Sequence, residues 1–393
     1  MRAGDYLPQP GGFRAFSPAP LPPDPAIKMD DELWKLLSNA DRALGRLDGI
    51  TTILPNPDLF VAMYVKQEAL FSSQIEGTQS TLEEVLEYEV NSKGDANVKD
   101  VEEVVNYVNA MNHGLKRLTD LPVCLRLIKE VHEKLLQGVR GGDKTPGEFR
   151  SKQNWIGFSD CKVHEADFVP PPPHIMNGAL NDFEKFLNGN VDIPVLIFCG
   201  LAHAQFETIH PFIDGNGRVG RLLITLLLCE KNVLQEPLLY LSYYLKAHKS
   251  QYNDRLMAVR NYGDWEGWLK FFLKGVYQVS RSAADTAKSI LHFREECREL
   301  VMDKVPGSNG IKLLDALFEY PILSIKKASE TIGCSFATGS KLIDQFILNS
   351  ILTETTGFQR NRLFKFKPCI DIFNKLEIPL DSIDDGQAVV SSE

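Results

Sequence analysis

Twelve consecutive residues, His210–Arg221 (HPFIDGNGRVGR), set the strongest limit on what this chain can build. Gly215, Asn216 and Gly217 make a tight turn, and apolar sequence flanks it on both sides. The run Pro194–Ile209 predicts a long buried helix that leads into His210. A second helix is predicted to open near Arg218 and to run through LLITLLLC, Leu222–Cys229, to Lys231. The chain therefore has to fold as a helix–loop–helix around one crowded loop.

That loop carries a coherent chemistry. A helix N-terminus after a glycine-rich turn offers free backbone N–H groups and the positive end of a dipole, which suits an anion. The glycines let phosphate oxygens approach the backbone closely. Arg218 and Arg221 are three residues apart on one helix face and can address different phosphates of one chain. Asp214 is a hard oxygen ligand suited to Mg²⁺ shared with substrate phosphates. His210 can take a proton from an attacking hydroxyl. Each part alone has an ordinary structural reading: a histidine before a proline, a GNG turn, two solvated arginines. Their conjunction in twelve residues points to a site for a nucleoside triphosphate with a metal.

The rest of the sequence bounds the molecule. At ~100–200 residues per domain, 393 residues allow two or three domains. The net charge of −9 argues against general affinity for nucleic acid while leaving room for a local basic surface. Leu222–Cys229 is far short of the ~20 apolar residues that span a bilayer. The N-terminus is rich in Pro and Gly without an apolar signal core, so no membrane association and a cytoplasmic location are expected. The seven cysteines are scattered with no CxxC pair, which suggests neither a zinc cluster nor a disulfide framework.

Helical patterning dominates, and the fold class is expected to be mainly α. Met1 to about Pro25 is proline-rich and reads as an extended arm. Helices are predicted from near Asp30, over Leu59–Ile75, from Ser80 with Glu83 as a capping box, and over Asp100–Leu118 and Leu121–Leu136. Gln153–Phe158, a polar turn around Ser159–Lys162, and His164–Val169 read as a β-hairpin ended by Pro170–Pro173. Helices resume over His174–Leu187, Lys249–Asn261 and Trp265–Val301. PGSNG at Pro306–Gly310 marks a boundary. The expected divisions are residues 1–98, 99–304 and 305–393.

At His210–Arg221 the chain closely resembles the Fic family, whose signature is met at every position. The resemblance implies a Fic-type helical bundle with a small β-hairpin flap, and transfer of AMP from ATP to a Ser, Thr or Tyr hydroxyl of a protein. By it, His210 is the catalytic base and Asp214 binds Mg²⁺. Gly215, Asn216 and Gly217 cradle the anion, Arg218 contacts the phosphates, and Arg221 holds the γ-phosphate. Val219 and Gly220 lie within the same nucleotide-binding run. Gly217 stands where kinase-type members carry lysine, which favours adenylyl transfer. Ser72, Glu76 and Gly77 in SSQIEG fit the family's inhibitory helix, in which the glutamate pairs with the second arginine of the motif, here Arg221. A helix end capped by Gly77 is the plainer reading.

The same resemblance makes Phe149–Pro173 the flap beside the site, with an exposed strand edge that would take an extended target segment. It places Asn154, Trp155, Ile156 and Gly157 near the nucleotide. Tyr252 and Asn261 are chosen as adenine or ribose contacts, with a buried core tyrosine as the competing reading. Residues 305–393 resemble a winged helix: a helix-turn-helix at Ile325–Phe346, then a hairpin around Gly357 with Arg360, Arg362, Lys365 and Lys367. Its presumed recognition helix, Phe336–Ile347, has only Lys341 as a cation, so DNA is a secondary partner beside a target protein. Self-modification and a homodimer are family-level expectations. Removal of AMP, transfer of another phosphate-containing group, and a DNA-binding regulator are the alternatives.

Overall fold

A computed structural model of the chain describes residues 2–51, 57–90, 98–158, 160–357 and 362–375. Ser159 and Arg360, part of the expected flap turn and wing, lie outside the described residues. The N-terminal segment is extended, as its prolines require, but it is not a free arm. Strands β1 (Gly4–Pro8) and β2 (Arg14–Pro18) form an antiparallel hairpin in which Tyr6 faces Phe16. Gly11 and Gly12, both at positive φ, turn the chain between them. Phe16 is fully buried and packs at a tilt against Phe168, so the hairpin is anchored on the core.

Helices follow in the predicted order: α1 (Asp31–Thr51), α2 (Pro57–Ile75), α3 (Leu82–Val90), α4 (Val98–Arg117) and α5 (Leu125–Leu135). The capping box of α3 sits one residue later than predicted. Thr81 Oγ1 accepts from the Glu84 N–H, and Glu84 accepts from the Thr81 N–H. Ser80 is buried and does not cap the helix through this box. Helix α2 is the spine of this half. Its residues Met63–Leu70 are all buried, and it packs on α4 and, further along the chain, on α9 (Ser242–Ala247). A helix enclosed on every side has no amphipathic stripe to read. Its polar residues are individually matched. Lys66 pairs with Glu89 at 3.0 Å, and Glu68 accepts from Tyr107 Oη and from the Ser242 N–H.

The central motif joins α7 (Val195–Ile209) to α8 (Asn216–Glu230), with α6 (Pro173–Asn188) packed on α7. Helix α10 (Lys249–Tyr262) then leads to α11 (Trp265–Lys304), forty residues long, against which α1 lies. The expected flap hairpin is reduced to one antiparallel bridge, Ile156 with Phe168, and a 3₁₀ turn at Val163–Glu165. Pro170–Pro173 deny the segment further ladder donors.

Residues after Pro306 form helix α12 (Ser308–Glu319), strand β3 (Ile322–Ser324), helices α13 (Ile325–Ile332) and α14 (Phe336–Leu348), strands β4 (Thr353–Glu354) and β5 (Leu363–Lys365), and helix α15 (Lys367–Asn374). The sheet order is β3-β5-β4, all antiparallel. Lys367 opens α15 rather than sitting on a hairpin, and Lys365 is tied to Glu83 of α3. This module is not separate in packing. Gln67 of α2 donates to the Phe373 carbonyl, and Tyr64 packs edge-on against Phe373. One apolar cluster extends from Ala3 to Phe373.

Candidate active site

The loop between α7 and α8 keeps its shape because every turn is held by a named contact. His210 ends α7 in the left-handed region (φ 50°, ψ 60°), a conformation uncommon outside glycine and held here by restraint. Arg150 supplies that restraint: its guanidinium donates to the carbonyls of His210 at 2.9 Å and Pro171 at 2.6 Å. Asn216 locks the next turn. Its side chain accepts from the Phe212 N–H and donates to the Phe212 carbonyl, at 2.8 and 2.9 Å. Asn154 Nδ2 donates to the same carbonyl. His132 stacks face to face on Phe212 and accepts from the Gly147 N–H at Nδ1, so its Nε2–H donates to the Asp214 carbonyl. Burial holds His132 neutral, at about 4. Gly215 (φ 78°) then starts α8.

What this scaffold creates is a cavity of about 920 Å³. Its lining includes Glu76, Gly217 and Arg221 on one side and His210, Glu207 and Asp214 beneath. Trp155, Ile156 and Gly157 of the flap and Lys249, Tyr252 and Arg260 of α10 complete it. The first N–H groups of α8 have no preceding turn to bond to and lie at this N-terminus. Asp214 is 40 % exposed. Among the described residues no cluster of three metal-ligating side chains forms. A single accessible carboxylate nevertheless fits Mg²⁺, which takes one or two carboxylates and completes its shell with phosphates and water.

Arg221 is occupied from α2. Its Nε donates to Ser72 Oγ at 2.8 Å, and its Nη2 donates to the Ser72 carbonyl at 2.9 Å and to Glu76 Oε1 at 2.6 Å. Burial by itself would raise the Glu76 carboxyl, but the charge and hydrogen bond of Arg221 outweigh it and hold the group below its ordinary value. A Cβ on Gly217 would collide with Glu76 Oε1, so the carboxylate rests directly on the first turn of α8. Gly77 follows at φ 100° and turns the chain away. Lys249 Nζ donates to the Ile75 carbonyl and closes the end of α2.

Several expected residues are placed elsewhere. Arg218 does not line the cavity. It is 1 % exposed, and its Nη1 donates to Glu103 Oε2 of α4 at 3.1 Å because helix side chains lean toward the N-terminus. Its Nη2 is 3.8 Å from Asp214 Oδ1, so it steadies the carboxylate from behind. The Asn216 and Asn154 side chains are spent on Phe212, and Val219 is a core residue. Gly220 gives room to the Glu207 side chain, and its carbonyl meets His203. Tyr252 lines the cavity with its ring, but its hydroxyl donates to His203 Nε2 at 2.8 Å. Asn261 accepts from Tyr6 of the N-terminal hairpin and lies outside the lining. Asn261 thus belongs to the packing of β1.

Sequence reasoning missed Arg150, His132, His203, Arg260 and Glu207. Arg260 is buried, stacks 3.8 Å over the Phe168 ring and donates to the Glu207 carbonyl. Glu207 could have been found, since it lies three residues before His210. Burial also depresses His203, to about 4, and His210, to about 3. These values carry a prediction. The imidazoles of His132, His203 and His210 are expected to stay neutral from pH 8 down to pH 5, read as unchanged ring ¹H–¹³C NMR shifts. A titration of any of them near its ordinary value of 6.5 would contradict the burial that the structure assigns it.

Comparisons with known proteins agree with this geometry. Residues 34–116 match the Fic/DOC family N-terminal model, and residues 122–228 match the Fic/DOC family model. A probable protein adenylyltransferase of Aquifex aeolicus is 38 % identical over 88 residues, 20 % of this chain and 28 % of that protein. The protein adenylyltransferase Fic of Aedes aegypti is 31 % identical over 198 residues, 49 % of this chain and 35 % of that protein. The chain thus spans about a third of the length of these curated relatives. A crystal structure of a Fic family protein from Desulfovibrio desulfuricans G20 has the same fold, with a TM-score of 0.56 at 20 % identity, covering 86 % of this chain and 97 % of that one. Two adjoining segments of this chain, residues 34–116 and 122–228, thus match the Fic/DOC family, and together they take in the end of α2 that leads to Glu76 and the loop bearing His210.

Proposed function

We propose that this chain transfers AMP from ATP to a Ser, Thr or Tyr hydroxyl of a protein, and that Glu76 restrains the reaction by holding Arg221. The observation that carries the reading is the convergence of His210, Asp214, Gly217 and Arg221 on one cavity beside the N-terminus of α8. The triphosphate lies over that N-terminus, with Arg221 for its γ-phosphate once Glu76 is displaced. Asp214 holds the Mg²⁺ that accompanies ATP, and the ion offsets phosphate charge. His210 takes the proton of the target hydroxyl while its oxygen bonds to the α-phosphorus. The bond from that phosphorus to the bridging oxygen breaks, and pyrophosphate leaves. The chemistry is mostly positioning and charge compensation.

The flap is suited to presenting the target. Trp155 lines the cavity and is exposed, as is Phe158 three residues on, and the single bridge leaves backbone groups of the segment for an extended target. We read residues 305–375 as a winged helix that contacts protein. The exposed surface of α14 offers Phe336 and Leu348, with one cation, Lys341, against Asp344. That balance gives phosphate little to bind.

The test is the fate of two labels. Label from α-³²P-ATP is expected on protein, and label from γ-³²P-ATP is expected only in pyrophosphate. Transfer of the γ-label would make the chain a kinase and refute the reading. The labelled band identifies the acceptor as the chain itself or another protein.

A further inference from the structure

Glu207 is a buried ionisable side chain that the reaction above does not use. It is 6 % exposed and lines the cavity. Its Oε1 has no hydrogen-bond partner among the described residues. The cations around it are engaged elsewhere. Arg221 is held by Ser72 and Glu76, and Arg260 donates to Thr208 Oγ1, to Met257 Sδ and to the Glu207 carbonyl rather than to its carboxylate. The space it occupies exists because residue 220 is glycine: a Cβ there would collide with Oε1. A buried carboxylate without compensation is expensive, and such groups cluster where chemistry needs them.

Its one poised neighbour is His210. The carboxylate Oε2 is 4.0 Å from His210 Nδ1, and that nitrogen is itself buried without a hydrogen bond. Both residues project from the same end of α7, one turn apart. A small side-chain rotation closes the gap to ~2.9 Å, and loose contacts of this kind in free enzymes tighten when substrate binds.

Resting on the AMP-transfer reading, we propose that Glu207 is a positioning residue for His210. Its carboxylate receives Nδ1–H, turns Nε2 toward the target hydroxyl and balances the positive charge that arrives with the hydroxyl proton. The proton moves from the hydroxyl to Nε2 and stays there through attack, while Glu207 remains ionised. Without that charge His210 is a poor base. Burial and the Arg260 and Arg150 charges all depress it, opposed by Glu76 and the Glu207 carbonyl. Glu207 faces Arg221 on α8, Glu76 at the end of α2, and Arg260 and Tyr252 on α10. Burial dominates and raises it to about 7; Arg221 lowers it, Glu76 raises it, and Arg260 lowers it.

The sign follows. The carboxylate is ionised above its midpoint, so activity rises with pH through about 7 in the wild type. With Glu76 removed, the midpoint falls.

The experiment uses the full chain carrying Glu76→Gly, with and without Glu207→Gln. Two readouts are taken across pH 5.5 to 9: AMP transfer, and carbethoxylation of His210 by diethyl pyrocarbonate, mapped by mass spectrometry. Glu207→Gln is expected to lower kcat about 10- to 100-fold, to leave the KM for ATP within about twofold, and to flatten the pH profile. It should also slow His210 modification and remove its rise with pH. Equal profiles and equal modification rates in the two variants, or a loss confined to thermal stability, would overturn the assignment. Should Glu76→Gly transfer nothing, the functional reading fails by itself, and the His210 modification rates still decide on Glu207.

Discussion

Glu76→Gly is expected to raise AMP incorporation by about 100-fold while changing thermal stability little. The gain follows from what Glu76 occupies. It neutralises the one cation in the lining that also lies against the first turn of α8, and its oxygen fills the space above Gly217. A phosphate-binding arginine in phosphoryl transfer is worth about 10³–10⁵ in rate, so returning even part of that contribution gives the expected rise. The small stability effect has a separate cause. Glu76 is 36 % exposed, which reduces the worth of its ion pair to about 1 kcal/mol or less. Arg221 keeps two bonds to Ser72 when the carboxylate is gone. Glu76 also follows the last residue of α2, so glycine there does not weaken a helix interior. Activity rising while stability holds or drops slightly separates release of a brake from nonspecific loosening. Incorporation of α-³²P label together with a melting curve reads both. Unchanged incorporation in a folded Glu76→Gly protein would remove Glu76 from any regulatory role.

Replacing His210 with alanine in that released background is expected to abolish transfer, by at least ~10³-fold, with ATP affinity unaltered. General base catalysis contributes about 10²–10⁴. Among the cavity's described residues, no other side chain is placed beside the motif loop with a free basic nitrogen. Binding should survive because the α8 N-terminus and Arg221 do not depend on the imidazole. One structural cost has to be controlled. Residue 210 sits at φ 50°, where alanine is strained by ~1 kcal/mol, whereas asparagine tolerates the conformation. His210→Asn should therefore be as inactive as His210→Ala but more stable. Calorimetric ATP binding beside label incorporation distinguishes lost chemistry from a lost site. Substantial transfer by either variant would mean that the hydroxyl is deprotonated by something other than His210.

The site was readable in sequence to the extent that its chemistry is contiguous. His210, Asp214 and Gly217 stand close together in the sequence and line one cavity in the structure. The residues that make the loop rigid do not. Arg150 and His132 act only after distant helices meet, and alone each is an ordinary side chain. Arg218 is placed away from the cavity lining for a geometric reason: three-residue spacing puts it near the face of Arg221, but its guanidinium leans back to Glu103. The proline-rich start read as an extended arm because prolines dominate its composition, although Gly11 and Gly12 are hairpin signals. The flap read as two strands because alternation alone does not say whether a partner strand has room to pair.

Helix α2 has one further consequence. Eight successive residues in it are enclosed by protein, and its polar side chains Lys66, Gln67 and Glu68 are tied to α3, α4, α9 and, through Phe373, to α15. Sliding or tilting this helix would tear apart contacts across the whole molecule, so it behaves as a fixed post rather than a lever. On the proposed restraint by Glu76, the switch is confined to what hangs from the post: the Glu76 side chain and the turn at Gly77. Its on–off energy difference would then be set by a single carboxylate and its surroundings, and a ligand that captures that carboxylate would need no domain movement to free Arg221.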